Sequence, residues 1–300
     1  MGDPREPAAT VTRRESWRFP LTTPANYYIV SVNNIRLLID SGTEPLKGNE
    51  ADYILLTHWH WDHTAGITGL RDKIICASHQ TISTLSSIDN VMERVLTPLR
   101  AMGINPHKSN VNESIMKEFF EEIRHIYLNI INAMNTNEVY EFQECPLPSS
   151  LPIEFQPCPG HTLDHYCIRL GDYIFVGDNA TIGESPTTID YQAYLSTVLQ
   201  ILGGKWEYLG PGHGSLQDRS NATNYFNSII KRKNKRLILV AASLQGELSF
   251  NELLYKVYRL PPTPQAYVPA RTLIGYLRAL EEAGIVEIDS SREPWVIVRK

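Results

Sequence analysis

The sequence predicts a layered α/β protein, because β-rich runs and helical runs alternate along the chain. Residues 27–40, YYIVSVNNIRLLID, contain two apolar runs broken by Asn33 and Asn34, a pattern typical of a β-hairpin. Between positions 115 and 131, apolar residues spaced by three and four indicate an amphipathic helix. β-rich text returns at residues 153–161 and 166–178, so we expect helices packed against a sheet.

The helical text forms an insertion over about residues 80–134. Its second half carries the apolar face Ile115, Met116, Phe119, Phe120, Ile123, Ile126, Tyr127, Ile130 and Ile131. Its first half, from Ile82 to Met102, is less regular, since Pro98 interrupts the pattern and Gly103 closes it. We therefore predict a pair of helices packed over the strands.

The C-terminal segment has a pattern of its own. Ser249 and Glu252 fit a capping box that opens a helix through Tyr258. A second helix carries one apolar face made of Leu273, Ile274, Leu277 and Leu280. Two short β-rich runs follow Gly284, and this order is typical of a winged helix. We place a boundary near residue 245, with a large domain over residues 1–244 and a small winged-helix domain over 245–300.

Composition excludes several classes of protein. A chain of 300 residues with 42% hydrophobic content can fill a core, which excludes a disordered or fibrous protein. A net charge of −5 gives no general attraction to nucleic acids or anionic membranes. No apolar run approaches the roughly 18 residues of a membrane span. The four cysteines form no C-x-x-C pair, so we expect reduced thiols and a cytoplasmic location.

The stretch LLTHWHWDHTAG, residues 55–66, places His58, His60, Asp62 and His63 just after a short predicted strand. Imidazole and carboxylate groups suit zinc, and also iron or manganese. In an extended segment, the first three of these side chains would point to one side and His63 to the other. One short loop could then address two adjacent metals. A lone histidine would more simply be solvated, but four such residues favour a metal cradle.

Three more residues strengthen the metal hypothesis. His161 in CPGHT, Asp178 in FVGDN and His213 in GPGHGS each follow an apolar run or lie in a glycine-marked turn. Glycine at such positions permits tight turns and a close approach of the backbone. We therefore expect all three residues at strand ends or in loops.

With these seven residues, the sequence resembles the metallo-β-lactamase superfamily over roughly residues 18–215. The family signature H-x-H-x-D-H matches residues 58–63, and its later histidine, aspartate and histidine match His161, Asp178 and His213. The resemblance implies a four-layer αβ/βα sandwich, with residues 1–244 as the catalytic domain. It implies one metal held by His58, His60 and His161, a second held by Asp62, His63 and His213, and Asp178 as the bridge. This ligand set looks like the glyoxalase II type, and antibiotic hydrolysis is not expected because cysteine is absent near position 178.

The resemblance also implies two divalent metal ions, with zinc expected and iron or manganese as alternatives. A hydroxide that bridges the metals would attack a carbonyl or phosphoryl centre. Asp62 would orient this water and accept its proton, which makes it the expected catalytic residue. Asp40 in IDSGTE either holds the orientation of the ligands or caps its own loop. Asp164 stands where the family often has glycine and is expected at the lip of the site.

The substrate stays divided between two chemistries, because the C-terminal segment resembles a branch of the superfamily that contains both thioesterases and an endoribonuclease. The favoured substrates are thioesters, lactones or related carboxylic esters, either small or bound to a carrier. Single-stranded RNA is the alternative, and a nucleic-acid-binding regulator is the non-enzymatic one. Residues 248–300 carry seven Lys or Arg against six Asp or Glu, a poor footprint for a duplex binder. We expect this segment to pack against the site or cover it.

Two local features bear on this choice. The run KRKNKR, residues 231–236, could grip phosphate, but more simply forms the solvated side of a helix. Trp59 and Trp61 could line an acyl pocket or stack a base, and core packing is the simpler interpretation for at least one of them. The remaining histidines are expected to be surface or core residues: His79, His107, His125 and His165. The sequence leaves the oligomeric state open.

Overall fold

The computed structural model of the chain describes residues 9–16, 24–48, 50–104 and 113–300. The side chains of residues 113–119 and 264 lie outside this set, as does His107. Within the described part of the chain, no helix is both long and apolar enough to cross a membrane.

Fourteen strands are found among the described residues: β1 Thr10–Ser16, β2 Ala25–Val32, β3 Ile35–Ile39, β4 Tyr53–Leu55, β5 Ile74–Ala77, β6 Glu138–Glu141, β7 Ile153–Pro157, β8 Tyr166–Leu170, β9 Tyr173–Thr181, β10 Tyr208–His213, β11 Gln217–Asp218, β12 Glu247–Ser249, β13 Val286–Asp289 and β14 Val296–Arg299. The predicted hairpin is confirmed, since β2 and β3 pair antiparallel with Val32 opposite Ile35. Asn33 and Asn34 have φ values of 51° and 64°, the positive values that a two-residue hairpin turn requires.

The first eleven strands form one curled sheet whose order is β6-β5-β4-β3-β2-β10-β9-β8-β7, with β1 beside β2 and β11 beside β10. Two halves of this sheet meet where β10 joins β2 through the pair His213 and Ala25. A predicted site residue therefore lies at the seam between the halves.

Eight α-helices are found among the described residues: α1 Trp61–Thr64, α2 His79–Thr84, α3 Ile88–Ala101, α4 Glu113–Asn135, α5 Tyr191–Gly203, α6 Arg219–Ser243, α7 Phe250–Tyr258 and α8 Tyr267–Glu282. The predicted first helix of the insertion is in fact two helices, α2 and α3, and Ser87 caps the second by accepting from the Asn90 amide. Pro98 does not interrupt α3, since the helix continues through it to Ala101.

Three apolar clusters show how the layers are stacked. One cluster, which includes Val30, Leu37 and Phe175, lies between the two halves of the sheet. A second joins β9 and β10 to α5 and α6. A third packs α3, α4, α7 and α8 against the outer face of β3 to β5. Helix, sheet, sheet and helix thus follow one another, which confirms the four-layer α/β fold.

The C-terminal segment contains α7, α8 and a three-stranded antiparallel sheet of order β12-β14-β13. The capping box is confirmed, since the Ser249 hydroxyl accepts from the Glu252 amide at 3.3 Å and the Glu252 carboxylate accepts from the Ser249 amide at 2.8 Å. Leu273 and Leu277 of α8 belong to the same apolar cluster as Trp59 and Tyr127. The C-terminal segment is therefore packed onto the loop that carries the predicted metal motif.

All four cysteines are paired, contrary to the expectation of free thiols. Cys76 is bonded to Cys145 across 69 positions, and Cys158 to Cys167 across nine. The absence of a C-x-x-C pair did not exclude these bonds, because the fold rather than local spacing brings the residues together. β7 and β8 run antiparallel and place the second pair with its Cα atoms 5.6 Å apart.

Candidate metal centre

The seven predicted residues come from five places in the chain and meet at one end of the sheet. His58 and His60 follow β4, and Asp62 and His63 lie in α1. His161 follows β7, Asp178 is near the end of β9, and His213 ends β10. The carboxyl ends of neighbouring parallel strands lie at the same edge of a sheet, and β9 and β10 are parallel.

A first cluster of ligand-type atoms is formed by His58, His60, His161 and Asp178. The Nδ1 atom of His60 lies 3.0 Å from Nε2 of His58 and 2.9 Å from Nε2 of His161. One carboxylate oxygen of Asp178, Oδ2, lies 3.3 Å from the same His161 nitrogen. Three imidazoles and one carboxylate thus converge on a common point.

A second cluster is formed by Asp62, His63, Asp178 and His213. The other oxygen of Asp178, Oδ1, lies 3.0 Å from Nε2 of His63 and 3.1 Å from Nε2 of His213. Oδ2 of Asp62 lies 3.5 Å from the same His213 nitrogen. Asp178 therefore faces both clusters, one oxygen to each.

The expectation that side chains alternate along an extended motif holds only as far as His60. Asp62 and His63 both belong to the second cluster, on the same side. The reason is that α1 begins at Trp61, so the chain is helical rather than extended from that residue onward. A short helical turn after two extended residues divides the motif between the clusters.

The donor set fits divalent metal ions. Nε2 of His63 and Oδ1 of Asp178 are buried and, although 3.0 Å apart, form no hydrogen bond with each other or with another described residue. Such burial is costly unless something else satisfies the two atoms. Burial lowers the pKa of His58 and His60 well below the usual value, and that of His161 to about 4. These imidazoles are neutral at pH 7 and keep the lone pairs that a metal requires.

The second cluster has a different electrostatic balance. Burial lowers the pKa of His63 and His213, but nearby carboxylates outweigh it; Asp178 is the strongest, and the pKa of His213 rises to about 10. Burial raises the pKa of Asp178, but His213, His63 and His161 bring it well below the usual value. The carboxylates of this cluster therefore favour positive charge on the neighbouring histidines, and they would favour a bound cation in the same way.

All site histidines except His60 are oriented by an oxygen atom at the other ring nitrogen. Nδ1 of His161 lies 3.0 Å from the carbonyl of Thr187, and Nδ1 of His213 lies 3.0 Å from the carbonyl of Pro24. Partners of this kind fix which nitrogen carries the proton and which is free to bind a metal.

Asp40 orients two of the histidines, directly and through Thr57. Its Oδ2 accepts from Nδ1 of His63 at 2.8 Å, and its Oδ1 accepts from the Thr57 amide at 2.8 Å. The Thr57 hydroxyl also lies 3.0 Å from Nδ1 of His58. Of the two interpretations offered for Asp40, the structure favours the one in which it holds the orientation of the histidines.

Glycine allows the strands to approach the shared carboxylate. A Cβ atom on Gly212 would lie 2.1 Å from Oδ1 of Asp178. Gly177, with φ of 45°, would place a Cβ 2.7 Å from Nε2 of His165. The glycines next to Asp178 and His213 are therefore required by packing around the site.

Asp164 is not at the lip of the site, because its side chain is buried at 1% exposure. Its Oδ2 accepts from the Trp59 amide at 3.1 Å and from the Thr81 hydroxyl at 2.6 Å. Burial raises the pKa of this carboxyl. Asp164 thus links α2 to the loop that carries the metal motif.

Of the two tryptophans, Trp59 is a core residue at 5% exposure, and its ring packs against those of His60 and Tyr127. Trp61 is half-buried, and its amide lies 3.2 Å from the Tyr127 hydroxyl. Core packing therefore accounts for Trp59, and Trp61 stays the better candidate to face a substrate.

Sequence reasoning missed two residues at the site. His165 is buried and stacks on His58 with ring centroids 4.8 Å apart, although its sequence neighbours gave no sign of this. Arg271 of α8 places Nη2 3.1 Å from Nε2 of His60, across 211 positions. Only the packing of the C-terminal segment brings it there. By contrast, His79 and His125 are exposed, as expected.

The basic run 231–236 does not form a continuous charged strip. Lys231, Arg232 and Lys235 are exposed on α6. Lys233 is buried at 2% exposure and donates to the carbonyl of Pro186 at 2.7 Å. Arg236 donates to the carbonyl of Val257 at 2.8 Å, so it braces α7.

Comparison with known proteins agrees with this geometry. The family model for the metallo-beta-lactamase superfamily matches residues 21–213, which include all seven residues. The beta-lactamase-like protein 2 homolog of Drosophila melanogaster is 22% identical over 286 residues, which cover 89% of this chain and 86% of the relative. The atrochrysone carboxyl ACP thioesterase of Aspergillus fumigatus is 25% identical over 249 residues, which cover 74% of this chain and 60% of that protein.

A solved structure shows the same fold. The crystal structure of a metallo-beta-lactamase family protein from Thermus thermophilus superposes with a TM-score of 0.68 at 16% identity, covering 97% of this chain and 98% of that one. The match of the family model to most of the chain, and the shared fold, together show that this chain belongs to the metallo-beta-lactamase superfamily.

Proposed function

We propose that this protein is a dinuclear metal-dependent hydrolase of thioesters, lactones or related carboxylic esters. The observation that carries the proposal is the position of Asp178, whose two oxygens face two separate groups of ligand-type atoms. A carboxylate shared in this way is suited to two cations held side by side.

In this proposal, His58, His60 and His161 hold one divalent ion and Asp62, His63 and His213 hold the other, with Asp178 shared. Zinc is the proposed metal, because imidazole and carboxylate groups suit it; the same ligands accept iron and manganese. When bound, a pair of such ions lowers the pKa of a water molecule to near neutrality and polarises the carbonyl of a substrate.

Asp62 is the proposed proton acceptor. Its side chain is 17% exposed, so it can reach a water molecule in the site. Burial raises its pKa, but His63 and His213 outweigh this and hold the pKa below its usual value. The carboxylate is therefore ionised at pH 7 and can accept a hydrogen bond, and then a proton, from the attacking water.

An acyl substrate is supported by the similarity to a carrier-protein thioesterase, although this chain spans only 60% of that relative. The substrate would be a small thioester or ester, or one attached to a carrier. The half-buried Trp61, next to Asp62 in the chain, offers apolar surface for an acyl group.

The charge pattern does not support single-stranded RNA as the substrate. A groove for a nucleic-acid strand needs basic side chains that stay available to phosphate. Lys233 in the one dense basic run is buried, and Arg236 is engaged with the carbonyl of Val257. The remaining charges, Lys231, Arg232 and Lys235, lie on the exposed side of α6.

A substrate panel on metal-quantified protein tests the proposal. We expect turnover of acyl thioesters or lactones, none of single-stranded RNA, and close to two metal ions per chain. Asp178→Asn should lose both metal and turnover, whereas Asp172→Asn, the same change at an exposed residue, should keep both. A preparation with two bound metals that hydrolyses no carboxylic ester or thioester would refute the proposed activity. RNA cleavage in its place would establish the alternative.

A further inference from the structure

The C-terminal segment places a cation beside the candidate metal centre. Arg271 lies on α8 and is half-buried, with Nη2 3.1 Å from Nε2 of His60. Tyr267, four residues earlier, is on the same helical face.

The position of α8 is fixed by close packing on the loop that orients His161. A Cβ atom on Gly275 would lie 2.5 Å from the carbonyl oxygen of Thr188, which makes this a backbone-to-backbone contact. The preceding residue, Thr187, holds Nδ1 of His161. Helix α8 therefore lies directly on the wall of the site. The position of Arg271 is fixed by this backbone packing and does not depend only on the conformation of its long side chain.

The Arg271 guanidinium has an incomplete set of partners. Among the described residues, no carboxylate lies within ion-pair distance of it, and its contact at the site is a histidine nitrogen. Nδ1 of His60 faces His58 and His161, so it is the nitrogen that would bind a metal. If Nδ1 of the neutral His60 ring binds a metal, the ring proton is on Nε2. The Nε2–H group of His60 and the N–H groups of Arg271 are then all donors, so they cannot form a hydrogen bond with each other. The donors of Arg271 are then left for another acceptor.

We propose that Arg271 binds an anionic group, a carboxylate or a phosphate, carried by the ester substrate. The planar fork of arginine matches both anions with two parallel hydrogen bonds. The width of the His60 ring separates the guanidinium from the metal-facing Nδ1. Arg271 would therefore contact a part of the substrate away from the scissile bond and determine which substrates are accepted. This inference rests on the proposed hydrolase function and names its substrate class.

Kinetics on paired thioesters test the proposal. The probes are the S-pentanoyl and S-succinyl thioesters of N-acetylcysteamine, an S-pentanoyl thioester whose thiol part carries a carboxylate, and one whose thiol part carries a phosphate monoester. We expect the Arg271→Gln enzyme to lose about 10- to 100-fold in kcat/KM, mainly through KM, on at least one charged probe. The neutral probe should change little, and the preferred probe identifies where the anion lies. Arg271→Lys should recover part of the loss.

Arg292→Gln is the matched control, because it removes the same charge from an exposed residue of the same segment. An equal loss on charged and neutral probes, or no loss on any, would overturn the assignment. Calorimetric binding of succinate and of inorganic phosphate to the metal-loaded protein keeps the inference separate from the proposed activity. If no ester is hydrolysed, binding that Arg271→Gln weakens and Arg292→Gln does not still supports the anion site. Equal binding by both variants overturns it.

Discussion

Oδ2 of Asp40 lies 2.8 Å from Nδ1 of His63, and both side chains are buried. This bond leaves Nε2 of His63 directed at Asp178. A carboxylate behind a histidine fixes its tautomer and makes it a stronger ligand. The orientation of the second cluster thus depends on a residue outside it.

Asp40→Asn should weaken metal binding at the second cluster. The amide keeps the size of the side chain but removes the charge that orients His63, and such changes typically cost about 10- to 100-fold in metal affinity. Competition with a chelator, monitored as metals retained per chain, measures the effect. Asp172→Asn serves as the control at an exposed position. Unchanged retention of both metals in Asp40→Asn would show that the bond is not needed.

Gly212→Ala should displace the shared carboxylate. The added Cβ would lie 2.1 Å from Oδ1 of Asp178 and 2.7 Å from the carbonyl carbon of Gly177, so the strands must shift. We expect a loss of about 1–3 kcal/mol in the free energy of unfolding, and fewer than two metals per chain. Gly203→Ala, where nothing lies within 4 Å, should change neither. Denaturant unfolding and elemental analysis give the two values, and full metal content in the Gly212 variant would contradict the geometry.

Lys233 should make the stability depend on pH. Burial, with a smaller effect of Arg232, lowers its pKa from 10.5 in the unfolded chain to about 7. Between these values the unfolded chain binds more protons than the folded one, so the free energy of unfolding should rise with pH. The largest contribution to the slope is about 1.4 kcal/mol per pH unit.

Urea unfolding from pH 6 to pH 10 measures this slope. Lys233→Met should remove the contribution, whereas Lys231→Met, an exposed neighbour, should keep it. Both variants remove one lysine from the same helix, so the change in the charge of the unfolded chain is the same in both. Parallel curves for wild type and Lys233→Met would mean that the buried amine does not titrate in this range.

The two disulfides should contribute unequally to stability. A bridge restrains the unfolded chain more when it closes a longer loop, so the 69-residue separation of Cys76 and Cys145 should be worth about 4 kcal/mol. The nine-residue separation of Cys158 and Cys167 should be worth about 2–3 kcal/mol. Denaturant unfolding of the two double-alanine variants compares them. A smaller loss in the Cys76 pair than in the Cys158 pair would contradict the expected order.

Thiol titration bears on the predicted location. Cytoplasmic proteins usually keep their cysteines reduced. Protein isolated from its own cell under alkylating conditions should show no free thiol, because all four cysteines are paired in the structure. Four labelled cysteines would instead agree with a reducing compartment and with the expectation from the sequence.

The metal motif was predictable because its ligands carry their chemistry in their residue types. His58, His60 and His63 lie within six positions of each other, and this density needs no tertiary information to be noticed. The turn at Asn33 and Asn34 was predictable for a similar reason, since local backbone preference decides it. Where the prediction failed, as for the side on which Asp62 points, a short helix replaced an assumed extended chain.

By itself, the sequence determined the α/β class, the seven ligand-type residues and the family resemblance, because these follow from local periodicity and from residue chemistry. Only the tertiary structure decided that Asp178 faces both clusters, that the cysteines pair, and that Lys233 is buried. It alone brought Arg271 to His60 across 211 positions. Such contacts depend on how sheets and helices pack, and packing joins residues that no local pattern connects.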